Sequence, residues 1–385
     1  MFADRTQWNL ESNRLSRALG QRRIAAEPLL DLTVSNPTEC GFEYDREAIL
    51  QALGNPGSLV YEPNPKGLGI AREAVRGYYG SSGLRVSIDD ILLTTGTSEA
   101  YSFIFRALCN PHDEVMVPEP GYPLFSFLAD ILDVKLIHYP LHYDHGWQID
   151  LHALQGAVTP RTRAIVVVHP NNPTGHFTKV QEIAHLNQIC TGHNLALIAD
   201  EVFRDFALGD AHPASFVANS RALTFTVSGL SKICGLPQMK ASWMVLSGPP
   251  QHKADALRRL EVIADTYLSM NAPVQLAIPA FLSLRHYFQK QLMARVRNNL
   301  KELDRLLDAK KVCARREIEG GWNAVLHVPA TRTDEDLVIE LLTAHGVHAH
   351  PGYLYDFPSD GNLIVSLITP EEQFAEGIRR LLSMF

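Results

Sequence analysis

At 385 residues, 46% hydrophobic and 20% charged, the chain has material for a large core and a second, smaller one, and shows no signature of disorder. A net charge of −7 argues against a nucleic-acid surface, and no apolar run approaches the roughly 20 residues that span a bilayer. Five scattered cysteines without CxxC spacing, and an N-terminus without the layout of a secretory signal, lead us to expect reduced thiols in a cytoplasmic protein.

Residues 1–45 read as an N-terminal arm and a first piece of a small domain. Within them, Leu30-Asp-Leu-Thr-Val-Ser-Asn-Pro is a short strand ending at an Asn-Pro break. Residues 46–285 read as the large domain. Val60-Tyr-Glu-Pro-Asn-Pro-Lys-Gly-Leu-Gly is a turn-rich loop feeding a helix. Its Gly67 and Gly69 do not make a dinucleotide fingerprint, because no strand precedes them and the third glycine is absent.

From about residue 90 the pattern is strand, turn, helix, repeated. Ile91-Leu-Leu-Thr-Thr is a buried strand, and Gly96-Thr97-Ser98-Glu opens an apolar-periodic helix through Leu108. Thr97 or Ser98 is a candidate cap, and such a helix start is an anion site. Glu114-Val-Met-Val-Pro is a second strand, ending in a turn at Gly121-Tyr122-Pro. His138, His142 and His145 have helical spacing, but Tyr-Pro-Leu-His-Tyr-Asp-His-Gly reads as turn-like, so we expect no metal there. Ala164-Ile-Val-Val-Val runs into Asn172-Pro-Thr-Gly. A helix over about 179–192 follows, then Leu195-Ala-Leu-Ile-Ala-Asp200, a strand with a carboxylate at its carboxyl end.

Ala222-Leu-Thr-Phe-Thr-Val is a further buried strand, and it delivers Ser231-Lys232 to the carboxyl edge of the sheet, where open α/β folds bind ligands. Such alternation predicts a mostly parallel sheet covered on both faces. Asn172, Asp200 and Lys232 then share one edge. Ala241–Ser247 is another strand, and residues 251–308 read as the helical bridge between domains. Residues 286–385 read as a small α+β domain, with strands at 322–328, 347–350 and 363–367 and a helix at 334–345. Thr369-Pro-Glu-Glu caps a last helix. His348 and His350 would share one strand face, turned to solvent.

These segments together resemble the class I and II aminotransferases, enzymes of fold type I that use pyridoxal 5'-phosphate. The resemblance rests on Ser231-Lys232 followed by Leu236-Pro237 and a basic residue eight positions after the lysine. The segments at Gly96, Tyr122, Asn172 and Asp200 occur in that family's order. It implies a large domain with a mostly parallel seven-stranded sheet between helices, residues 241–247 antiparallel at the sheet's end, and a smaller α+β domain. It implies that Lys232 holds the cofactor as a Schiff base and moves the substrate's proton. Gly96, Thr97, Ser98 and Lys240 would then serve the phosphate, Ser231 and Phe203 would belong to the cofactor site, and Tyr122 would stack on the ring. Asp200 would pair with the ring nitrogen, and Asn172 would donate to the phenolic oxygen. Tyr61 would reach across a homodimer interface to the partner's phosphate, and the 30–37 loop would lie beside the substrate.

Departures from the family pattern are specific. Phe203 stands where a tyrosine usually donates to the phenolic oxygen, Gly229 replaces a serine, and Lys240 replaces an arginine, keeping charge without the bidentate fork. Ile364 stands where an arginine would clamp the substrate carboxylate, and no arginine lies between Arg332 and Arg379. Arg14, Lys66 and the His348/His350 pair are the substitutes considered. The expected function is transfer of an amino group between an amino acid and a 2-oxo acid. The alternatives are a pyridoxal-phosphate lyase, decarboxylase or cyclase, favoured by Ile364, and a non-catalytic binding protein on the same fold.

Overall fold

A computed structural model describes residues 1–209 and 213–385. Its strands, in chain order, are β1 (Leu30–Asp31), β2 (Ile91–Thr94), β3 (Glu114–Glu119), β4 (Lys135–Tyr143), β5 (Trp147–Ile149), β6 (Thr162–Val168) and β7 (Ala196–Asp200). They continue with β8 (Thr224–Gly229), β9 (Ser242–Ser247), β10 (Ala314–Arg315), β11 (Asn323–His327), β12 (Val347–His348), β13 (His350–Pro351) and β14 (Asn362–Ser366).

The large sheet has the order β2-β9-β8-β7-β6-β3-β4-β5. It is parallel from β8 through β4, and β9 runs antiparallel to both of its neighbours. Two expectations are corrected here. The sheet has eight strands, not seven, because β5 folds back on β4 as a hairpin (Leu141↔Ile149, Tyr143↔Trp147). The antiparallel strand is also not terminal, since β2 lies outside it. The segment around His138 and His142, read as turn-like, is the body of β4. Only its end turns, and His142 meets Asp150 across the hairpin.

Burial explains why these runs are uniformly apolar. Alternate residues of each strand enter opposite layers. Ile198 and Val227 join the helices Thr97–Leu108 and Pro250–Tyr267 on one face, while Leu197 and Ala199 meet the helix Val180–His193 on the other. Gly67 sits at positive φ (87°) where a Cβ would fall 2.6 Å from the Leu93 side chain, so it lets the 60–69 loop press onto β2.

The second core lies under the antiparallel sheet β10-β11-β14-β13. The 39-residue helix Ala272–Lys310 feeds both cores. Val274, Ile278 and Phe281 enter the large one, and Phe288, Leu292, Val296 and Leu303 enter the small one. Leu15, Leu32 and Cys40 also enter the small core, where β1 pairs in parallel with β12.

Residues 347–350 do not form a single strand. β12 joins β1 and β13 joins β14, with Ala349 buried at the change of partner. His348 is buried and His350 partly so, neither turned freely to solvent. Pro370, not Thr369, takes the cap position of the last helix, Glu371–Leu382.

Asp334 opens the helix Asp334–His345 and is 1% exposed. Its carboxylate accepts the backbone N–H groups of Gly352, Gly361 and Asn362 and so clamps the loop between β13 and β14. Replacing it by alanine strands those buried donors, each a loss of roughly 1–3 kcal/mol. Asp334→Ala should therefore lower the melting temperature in scanning calorimetry; an unchanged transition would show that the clamp carries no stability.

Candidate active site

Four strand ends and one helix start converge on a cavity of about 290 Å³. Thr97, Ser98, Tyr122, Asn172, Asp200, Phe203, Ser231 and Lys232 all line it, eight of the residues singled out from the sequence. Thr33 and Ser35, from the segment expected beside the substrate, line it too. The parallel strands account for the convergence: β6, β7 and β8 end at one edge, so the loops carrying Asn172, Asp200 and Lys232 leave the sheet side by side.

Lys232 lies in the short helix Leu230–Ile233 that follows β8. Its Nζ sits 4.8 Å from the centre of the Trp322 ring and 5.5 Å from that of Phe203, and the two rings pack edge to face. Burial among these rings lowers the amine to about 8, with Asp200 opposing the shift. The Asp200 carboxyl is raised to about 6 by its own burial. The Val202 N–H and the Tyr101 hydroxyl, each 3.1 Å away, and the Lys232 charge all favour its ionised form.

At the start of the helix Thr97–Leu108 the cap position is Gly96, not Thr97 or Ser98, and no side chain among the described residues caps the helix. The Thr97 and Ser98 amides, unpaired among the described residues, are left for an anion. A Cβ on Gly96 would lie 3.6 Å from Lys240 Nζ, which places a cation beside that helix start. Neither Gly96 nor Lys240 is in the cavity lining itself; Lys240 lies beside Gly96, the residue before Thr97.

Gly229 has a simple spatial reason. Its backbone is extended, and a Cβ there would fall 2.2 Å from the Ser242 hydroxyl oxygen. Ser242, from the neighbouring β9, fills the space a serine at 229 would need, and it also lines the cavity.

Tyr61 is not brought to the cavity of its own chain. It is 79% exposed, next to exposed Leu59 and Val60. Of the proposed substitutes for the missing arginine, Arg14 pairs with Glu335 and Asp336 and Lys66 with Glu261; neither lines the cavity. The histidines lie behind its wall. His348 Nδ1 is 3.3 Å from Asp31, and His350 Nδ1 is 3.1 Å from the hydroxyl of Tyr355, which faces the cavity.

Trp322, Asn323 and Tyr355 were not foreseen. Asn323 donates to the Asn172 side-chain oxygen at 2.8 Å, joining the small sheet to the edge of the large one. Ile364 is buried against Val325 and Tyr355.

The environment of Lys232 sets a testable titration. In the cofactor-free protein its reaction with a small acylating reagent should rise through about pH 8 and level above it, read by peptide mass mapping. A midpoint above about 10, near that of a free lysine, would contradict the effect of burial.

The model of the family described as "Aminotransferase class I and II" matches residues 28–381. The glutamate-pyruvate aminotransferase AlaA of Escherichia coli K12 is 34% identical over 256 residues, which are 66% of this chain and 63% of that protein. The chain thus matches less than two thirds of the length of that relative. The alanine aminotransferase of Mycobacterium bovis is 26% identical, covering 93% of this chain and 86% of its own. Among solved structures, an Escherichia coli aminotransferase superposes with a TM-score of 0.89 at 26% identity, over 100% of this chain and 98% of its own. With the sheet order, the buried lysine and the uncapped helix already in place, these matches lead to one conclusion: the chain belongs to the class I and II aminotransferase family.

Proposed function

We propose that the protein is a pyridoxal-phosphate-dependent aminotransferase that moves an amino group between an amino acid and a 2-oxo acid. The observation that carries this is the buried Lys232 amine sharing one cavity with the buried Asp200 carboxylate and an uncapped helix start. Members of the family use pyridoxal phosphate, and the donor set here fits that group. The Thr97 and Ser98 amides, the Ser231 hydroxyl and Lys240 suit a phosphate. Asp200 suits a protonated ring nitrogen, and Tyr122 offers a ring face. The Asn172 NH2, unpaired among the described residues, offers a donor to the phenolic oxygen. Phe203 offers no second donor there.

When bound, the cofactor supplies an electron sink for the carbanion formed at the substrate's α-carbon. The residues do the rest. Lys232 Nζ, brought down toward neutrality by burial, takes the proton from that carbon as base and returns it as acid. Trp322 and Phe203 hold the amine in place from one side and exclude water from it. Tyr101 and the Val202 amide keep the Asp200 carboxylate oriented and ionised. The exposed run Leu59-Val60-Tyr61 supports a homodimer in which Tyr61 completes the partner's phosphate site. Free, mostly buried cysteines support a reducing, cytoplasmic setting, and no helix among the described residues is long and apolar enough to cross a membrane. The small domain is proposed to comprise residues 1–45 and 286–385, and the large domain residues 46–285.

A second reading keeps the cofactor and changes the reaction to elimination, decarboxylation or cyclisation. It is favoured by Ile364 and by the lack of an arginine in the cavity lining among the described residues. Product analysis separates the two: a 2-oxo acid without free ammonia or carbon dioxide supports transfer, and release of ammonia, carbon dioxide or a cyclic product supports the second.

Lys232→Ala should lose both turnover and the visible absorbance of lysine-bound cofactor, and retention of the full band would refute the assignment of that lysine. Asp200→Ala should keep the fold and lose at least about 100-fold in turnover, since it removes the ring partner and little packing. Near-wild-type rates in steady-state assays would remove Asp200 from the mechanism.

A further inference from the structure

Within the aminotransferase reading, on which this inference rests, we propose that the cavity wall built by the small sheet recognises the substituent on the substrate's α-carbon through uncharged hydrogen-bonding groups, chiefly Asn323 and Tyr355. The site would then accept α-amino acids and their uncharged derivatives, primary α-amides above all, with similar affinity.

The charge inventory is the first support. Apart from tyrosines, the ionisable residues in the cavity lining are Lys232 and Asp200. Both are committed to the cofactor in that reading, as is the nearby Lys240. No other cation lines the cavity among the described residues.

The strand register supplies the second. In the small sheet Asn323 lies opposite Ser366, Val325 opposite Ile364, and Ile364 also opposite His350. Ala324, Leu326, Leu363 and Val365 point into the small core, so Asn323, Val325, Ile364 and Ser366 occupy the other face. Those four residues carry no charge. Val325 and Ile364 pack with Tyr355, whose phenol the neighbouring His350 holds in place. His350 is itself kept neutral, lowered to about 4 by burial, with His348 adding to the shift and Asp31 opposing it.

The third is unspent hydrogen-bonding capacity. Asn323 donates one N–H to Asn172, and its second N–H has no partner among the described residues. The Ser366 hydroxyl, opposite it in register, is buried at 1% exposure and has no hydrogen-bond partner among the described residues. An incoming carboxylate or amide oxygen would meet the Asn323 amide directly, and neutral donors of this kind do not separate the two strongly.

One arginine competes for the role. Arg316 bonds through its backbone N–H to the Val325 carbonyl, and its Nε is buried without a partner among the described residues. Its guanidinium stacks 4.5 Å over the Tyr143 ring and does not line the cavity. If it moved in to meet a carboxylate, the site would discriminate by charge.

The test titrates the holoenzyme with L-alanine, L-glutamate and L-tyrosine, each against its primary α-amide. Dissociation constants come from the cofactor's spectral change and rates from single turnovers. For the acid that reacts best, the amide should bind within about tenfold, with little dependence on salt. Asn323→Leu should weaken both ligands, and Asn323→Asp should weaken the acid more than the amide. A preference for the acid of about 30-fold or more, as a buried charge pair would give, would overturn the proposal. Loss of that preference in Arg316→Gln would then assign it to Arg316. If acid and amide both leave the spectrum unchanged and no amino group moves, the aminotransferase reading fails and this inference with it. If amino transfer occurs with strong charge discrimination, this inference alone fails.

Discussion

An amine and a carboxylate buried together at the carboxyl edge of a parallel sheet constrain everything around them. Neither Lys232 nor Asp200 is comfortable there alone. Burial lowers the amine and raises the carboxyl, and each charge offsets part of the other's cost. The environment that disfavours their charged forms also tunes them, leaving an amine able to take a proton near neutral pH. The sheet supplies the rigidity this needs, since β7 and β8 are adjacent, parallel and fully buried.

Two further constraints close the site. Small residues let backbone and side chains crowd together: Gly229 leaves its space to Ser242, and Gly67 lets a loop lie on β2. The small domain then presses its sheet against the open edge. Its grip is specific, through Asn323 on Asn172, Tyr355 and Trp322 in the cavity wall, and Asp334 holding the loop that carries Tyr355. The long helix Ala272–Lys310 contributes to both cores and ties the two halves together.

Much of this was legible in the sequence, for identifiable reasons. Apolar β-branched runs ending in Asn172, Asp200 and Lys232 announce parallel strands and a shared edge, because period, burial and position agree. The hairpin β4–β5 was hidden because Pro140 and the Tyr-Asp-His-Gly run look like a turn; only the last residues are one. The partition of Val347–His350 between two sheets leaves no local mark, since each piece is two residues long. Trp322, Asn323 and Tyr355 reach the site only through tertiary packing of a separate domain. The alternation from Trp322 to Val328 marks a strand but does not say which face will meet Lys232. Ile364 shows the opposite case: its departure from the family pattern was plain in the sequence, and the structure supplies the apolar neighbours that receive it.

The most direct measurement is an absorbance titration of the pyridoxal-phosphate-loaded protein with a panel of amino acids, followed by addition of a 2-oxo acid. Our account predicts conversion of the cofactor to its pyridoxamine form by at least one amino acid and full reversal by the 2-oxo acid. A spectrum that shifts without ever yielding pyridoxamine, accompanied by ammonia or carbon dioxide, would contradict it.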